Sequence, residues 1–273
     1  MSGISQILAS FKPAVTGSLL MDTYPADVAF SLQRIKTGAT NAVKVRRLSD
    51  STTQNIGFSG NLFDNGSLNT FCSATNGFID TWYNQGTNGL DIAQSTLLAQ
   101  PKISTAGVTE TDGSDYAPLF DRAASQVLTS GIISANTVFT MFAVVKLTTA
   151  TDNNVLFLNG VANGYGLYTA GGGWKYFSRA VGEAGGGTYT TSTALLTVCW
   201  KTASDVTVRL NGVSIYSGAA HATITPTNTF RLGGGDFGDF FGGRILEFIC
   251  YSTDQSANYS AIESDINGRY VNI

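Results

Sequence analysis

The chain has 273 residues, 43% of them hydrophobic and only 13% charged, with a formal net charge of −3 at pH 7. That length buries a sizeable core in one large domain or two small ones. The weak negative charge gives no electrostatic reason to expect nucleic acid, and Lys44, Arg46 and Arg47 are too small a cluster to make a basic footprint.

Thirty-one glycines, eleven tyrosines and sixteen phenylalanines point to short strands joined by tight turns. Residues 1–25 lack sustained periodicity. Ile4, Ile7, Leu8 and Phe11 could form one amphipathic turn, so this segment is expected to be an attachment arm or partly disordered. From residue 26 to residue 273 the pattern is that of one globular domain. Val43 and Val45 alternate with Lys44 and Arg46, as in a strand with one wet face. Asp64 to Phe71 reads as a short capped helix, and Phe78 to Tyr83 as a buried strand.

Thr137 to Leu147 is apolar on both faces, which predicts a central strand, and Val155 to Leu158 predicts another. Val206, Val208 and Leu210 alternate with Thr207 and Arg209 before Asn211-Gly212 and Val213–Tyr216. Asn-Gly between two such runs is the strongest short hairpin signal, because both central turn positions need a positive φ. Arg244 to Tyr251 predicts a further buried strand. Tyr259, Ile262, Ile266 and Tyr270 then share one face of a terminal helix.

No apolar run reaches the roughly 20 residues that cross a bilayer, so no membrane insertion is expected. The start, MSGISQILASFKP, is uncharged before Lys12 and makes a poor signal peptide, so synthesis in the cytoplasm is expected. Cys72, Cys199 and Cys250 cannot make a complete disulfide set and are expected as buried free thiols. The single histidine, His221, has no nucleophile or second histidine to serve. The Gly-rich segment LGGGDFGDFFGG lacks the Lys-Ser/Thr of a phosphate loop, so its glycines read as turn residues.

The block from Phe30 to Pro101 contains FSLQRIKTGATNAVKVRRLSDSTTQNIGF, FIDTWYNQGTNGLDIAQ and AQPKI. In this order the segments resemble the opening of the arabinofuranosidase B catalytic domain, and the same block resembles bacteriophage virion proteins. VTVRLNGVSIYSG, FRLGGG and GGRILEFICYS, with the closing helix, are similar to a laminin-G-type lectin domain. Both resemblances imply an all-β fold: a concanavalin A-like jelly-roll β-sandwich of two antiparallel sheets with a short C-terminal helix. In WYNQ, Trp82 and Tyr83 are expected to pack, and the amides of Asn84 and Gln85 to bond loop backbone.

The arabinofuranosidase resemblance also implies catalytic positions. The general acid's turn matches Gly234-Gly235-Asp236, and the nucleophile's position reads Asn154, two residues after Asp152, which matches a substrate-binding aspartate. An amide cannot form a glycosyl ester, so no catalytic residues are expected. A carbohydrate-binding set of Asp152, Asn154, Tyr165, Trp174 and Asp236 is expected instead, with rings for the sugar's C–H face and polar groups for its hydroxyls. No cofactor is required; calcium, held by Asp236 and Asp239 with Asp205 or Asp152, is the one metal the resemblance admits.

The resulting expectation is a non-enzymatic virion surface protein of a bacteriophage, in a tail tip or fibre that touches host-surface glycan. A capsid decoration protein is the second reading and an arabinofuranosidase-like glycoside hydrolase the third. Other virion proteins are the expected partners, and a homo-oligomer, with a trimer favoured, is the expected assembly.

Overall fold

A computed structural model describes residues 18–133, 138–160, 164–178, 182–202, 205–219, 227, 229–236, 238–270 and 273. The predicted amphipathic turn of the N-terminal arm and His221 lie outside the described residues.

Two antiparallel layers face each other. In one, Val28–Ser31, Gly243–Tyr251, Phe139–Leu147, Ala194–Thr202, Asp205–Leu210 and Val213–Gly218 pair side by side in that order. In the other, Gly182–Gly186 is followed by Gly173–Ser178, Tyr165–Ala170, Val155–Asn159, Thr229–Leu232 and Leu128–Gly131. Ile92–Ala93, Gly77–Trp82, Asn41–Arg47 and Thr53–Ser59 continue it. Lys102–Thr105 pairs with both Gly77–Trp82 and Leu119–Phe120, and the latter joins Gly243–Tyr251, so the layers are stitched together along one side. At the opposite side a Cβ on Gly187 would lie 3.1 Å from the Ile215 side chain. The expected jelly-roll sandwich is therefore the fold, nearly closed on itself.

The strand Phe139–Leu147 shows why a run apolar on both faces was legible as central. Phe139, Met141, Ala143 and Val145 enter the core between the layers, while Phe142 and Val144 face a second apolar cluster behind the sheet. That second cluster is roofed by the terminal helix Tyr259–Arg269 through Ile262 and Ile266, and by the short helix Leu20–Thr23 through Leu20 and Met21. Leu20 and Met21, within the segment read as an arm, are thus part of the folded body. Two ion pairs pin the terminal helix: the buried Arg269 to Glu247 at 2.5 Å, and the part-buried Arg209 to Glu263 at 2.9 Å.

The local signals hold where they rest on backbone geometry. Asp64 caps the helix Asn65–Cys72 by accepting a hydrogen bond from the Ser67 amide at 3.0 Å. Asn211 and Gly212 have φ of 49° and 78°, which join Asp205–Leu210 to Val213–Gly218. The WYNQ corner is structural. Gln85, 2% exposed, accepts from the Ile35 amide and donates to the carbonyls of Ser31 and Gln33. Asn84 accepts from the amides of Ala29 and Gly86. Gly86 is required there, because a Cβ would stand 2.4 Å from the Asp27 carbonyl oxygen. All three cysteines are free and buried.

Candidate functional site

The site is organised by the loop between Thr229–Leu232 and Gly243–Tyr251. Gly233 is there for space: with φ of 91°, a Cβ would sit 2.4 Å from the Phe120 ring. The loop closes on itself through Gly235 N–H to Asp239 O at 2.7 Å and Phe241 N–H to Gly233 O at 2.9 Å. Arg231 braces it by donating to the Gly235 carbonyl at 2.7 Å. A cleft lies on each side of this loop.

The first cleft, about 450 Å³, is lined by Val155, Tyr168, Phe177, Glu183, Asp236 and Asp239. Three carboxylates and a phenol therefore line one concave surface. The Tyr168 hydroxyl donates to Glu183 Oε2. Burial, that bond and the charges of Glu183, Asp152 and Asp239 all push the Tyr168 phenol well above its ordinary value, so it stays a proton donor across the working pH range. Asp152 lies outside that lining, near enough for its charge to act on Tyr168. Its Oδ1 accepts from the Tyr189 hydroxyl at 2.8 Å and the Gly172 amide at 3.2 Å, which hold its carboxyl below the usual carboxylate range. Asp152 is a fixed anion that anchors the Gly171–Gly172 turn.

The second cleft, about 690 Å³, is lined in part by Phe120, Arg122, Thr149, Thr151, Asn154 and Phe240. Asn154, 1% exposed, is fully engaged. Its amide nitrogen donates to Thr151 O at 2.7 Å, and its Oδ1 accepts from the Gly242 amide at 3.0 Å. Thr151 and Gly242 both border the cleft, so Asn154 is a strut that ties two of its walls.

Of the five residues expected to bind carbohydrate, the structure places Asp236 in the first cleft and Asn154 in the wall of the second, while Asp152 lines neither. Tyr165 and Trp174 lie in the core, 0% and 2% exposed. Tyr165 stacks on Phe139 with ring centroids 4.2 Å apart, and its hydroxyl accepts from Asn159 Nδ2 at 2.8 Å, so it has no open face. The reason is strand parity, since side chains alternate between faces along a strand. The inward face of Tyr165–Ala170 takes Tyr165 and Leu167, which leaves Tyr168 to look out.

Glu183 was not picked out from the sequence, although it is the sole acidic residue between Asn163 and Tyr189. A lone carboxylate in a Gly-rich hairpin was the available signal. Among the described residues no group of three or more His, Cys, Asp or Glu side chains is placed to hold a metal ion. Asp236 and Asp239 share a cleft, whereas Asp205 pairs with Lys201 at 3.8 Å.

Compared with solved structures, the chain aligns with a GH54 α-L-arabinofuranosidase soaked with a cyclic sulfate inhibitor, at a TM-score of 0.71 and 16% identity, over 93% of this chain. Its fold is that of the arabinofuranosidases. A second such enzyme, complexed with arabinofuranosyl-α-1,2-xylobiose, matches at 0.68 and 18% identity, again over 93% of this chain and 66% of the other. The binding domain of Paraclostridial mosquitocidal protein 1 matches at 0.51 and 14% identity, over 69% of this chain and 49% of its own. The chain spans 65% of the length of the first of these enzymes. No protein-family model matches the chain, and no curated protein matches it by sequence.

These matches correct the functional expectation. The arabinofuranosidase structures align over 93% of the chain, so the Phe30–Pro101 block marks a fold shared with those enzymes and gives no ground for a bacteriophage, tail or capsid-decoration assignment. The non-enzymatic reading is corrected with it. It rested on the amide at Asn154, and the carboxylates that line a cleft are elsewhere, at Glu183, Asp236 and Asp239. Among the described residues no helix is long and apolar enough to cross a membrane.

Proposed function

We propose that this protein is a glycoside hydrolase acting on α-L-arabinofuranosides, with its catalytic pair drawn from the carboxylates of the first cleft. Glycosidic cleavage needs one carboxylic acid to protonate the leaving oxygen, and a second carboxylate to attack the anomeric carbon or to activate water. Asp236, on the Gly-Gly-Asp turn, takes the first role. Glu183, on the edge strand Gly182–Gly186 and held by the Tyr168 hydroxyl, takes the second. Asp239 and Asp152 add negative charge, which favours an oxocarbenium-like transition state. The observation that carries this reading is the convergence of Glu183, Asp236 and Asp239 on one cleft of an arabinofuranosidase-like fold.

Release of 4-nitrophenol from 4-nitrophenyl α-L-arabinofuranoside tests it. Asp236→Asn and Glu183→Gln should each lower kcat/KM by about 10²–10⁴ with the fold intact. Wild-type turnover that survives both substitutions, or no turnover of any furanoside, would refute the assignment.

A further inference from the structure

We propose that the second cleft is a subsite for the leaving-group saccharide, with Arg122 as its specificity residue; this rests on the hydrolase reading above. Gly235, Asp236 and Asp239 border the first cleft, while Gly238, Phe240 and Gly242 border the second. The two clefts are thus separated by one loop, and a glycoside whose scissile oxygen sits at Asp236 extends its leaving group over that loop.

The lining of the second cleft suits a sugar and does not suit hydrolysis. It contains a single carboxylate, Asp121, whose Oδ1 already accepts from the Ala123 amide at 2.9 Å. A lone carboxylate cannot divide the roles of acid and partner. What the cleft offers instead are the exposed hydroxyls of Ser125, Thr149 and Thr151, the half-buried ring of Phe240 and the guanidinium of Arg122. Arg122 donates one bond, to the Asp152 carbonyl at 3.0 Å, and makes no ion pair among the described residues. A planar guanidinium with donors to spare, hydroxyls and an aromatic face make up a saccharide-binding set. The Asn154 strut fixes the walls before any ligand arrives, which lowers the ordering cost of binding.

The test compares two substrates on the full chain. 4-Nitrophenyl α-L-arabinofuranoside carries no leaving-group sugar, and arabinofuranosyl-α-1,2-xylobiose carries a disaccharide. Arg122→Ala should lower kcat/KM for the xylobiose conjugate by about 10–100-fold, the loss of a charged hydrogen bond. Its effect on the nitrophenyl substrate should stay within about twofold. Exposed Thr149→Ala, which leaves Arg122 in place, should show the same selectivity with a smaller loss. Equal losses on both substrates, or none on either, would overturn the proposal.

Should wild type cleave neither substrate, the hydrolase reading falls and titration calorimetry with xylobiose decides the subsite separately. Saturable binding that Arg122→Ala abolishes sustains it as a saccharide site. Absence of binding, or binding indifferent to Arg122→Ala, removes it.

Discussion

Replacing Asn154 with aspartate puts a carboxylate where the resemblance places a nucleophile, and the structure predicts damage without gain. The substitution is nearly isosteric, and Oδ1 can still accept from the Gly242 amide. The other end reverses: the amide nitrogen that donates to Thr151 O at 2.7 Å becomes an acceptor facing an acceptor. Thr151 O keeps the Thr169 hydroxyl at 2.8 Å, so it is not orphaned. The cost comes from one lost bond plus a carboxylate that is 1% exposed at this position, together about 2–4 kcal/mol. For a domain of this size that is roughly 4–16 °C in Tm.

The sign of the pH dependence follows from burial. A carboxyl here has its folded pKa raised above the ordinary value of about 3.9, and in its protonated form it can again donate to Thr151 O. The deficit relative to wild type should therefore be small below pH ~4 and grow as pH rises through the raised pKa. Thermal unfolding of both proteins at acidic and neutral pH measures it, with the nitrophenyl furanoside assay run beside it. A neutral-pH Tm within about 2 °C of wild type, or an increase in hydrolysis, would refute the strut assignment.

Three further outcomes follow from named groups. Arg269→Met removes the cationic partner of Glu247, 1% exposed beneath the terminal helix and left, among the described residues, with the Tyr270 hydroxyl alone, and should cost about 3–5 kcal/mol; Glu247→Leu added to it should recover part of the loss in the same melts. Burial pushes the Glu110 carboxyl up, but bonds from Thr105 and Arg244 and the charges of Arg244 and Lys102 outweigh it and hold the group below its ordinary value. Its stabilisation is thus complete above the ordinary carboxylate pKa and lost as pH falls through the depressed one, so Glu110→Gln should lower Tm at neutral pH and converge with wild type in acid. Cys72, Cys199 and Cys250 are buried, and burial pushes each thiol up. Ellman's reagent should titrate none of them in the native protein and all three in denaturant; a fast native thiol would contradict this packing.

The candidate site was legible only where one short segment builds it. Gly234-Gly235-Asp236 announces a turn with an acid at its tip, and the structure puts Asp236 on a cleft wall. Asp152 likewise comes from a recognisable segment. Glu183 and Arg122 carry no local signature, because their roles come from strands and turns far apart in sequence that pairing brings to the two sides of one loop. Tyr165 and Trp174 show the converse: an aromatic ring on a Gly-rich stretch reads alike whether it faces sugar or core, and only the strand's parity against its neighbours decides.

By itself the sequence determined the elements whose cause is local: the Asp64 cap, the Asn211-Gly212 turn, the doubly apolar strand Phe139–Leu147 and the backbone-binding amides of Asn84 and Gln85. It also determined the sandwich, since alternation and turn chemistry admit few ways to bury so many short strands. The tertiary structure decided that Asn154 is a strut, that Tyr165 is core, and that Glu183, Asp236 and Asp239 line one cleft. Those facts depend on the register and stacking of distant strands and on the loops they place, and a side chain's chemistry is set by what its neighbours in space bring to it.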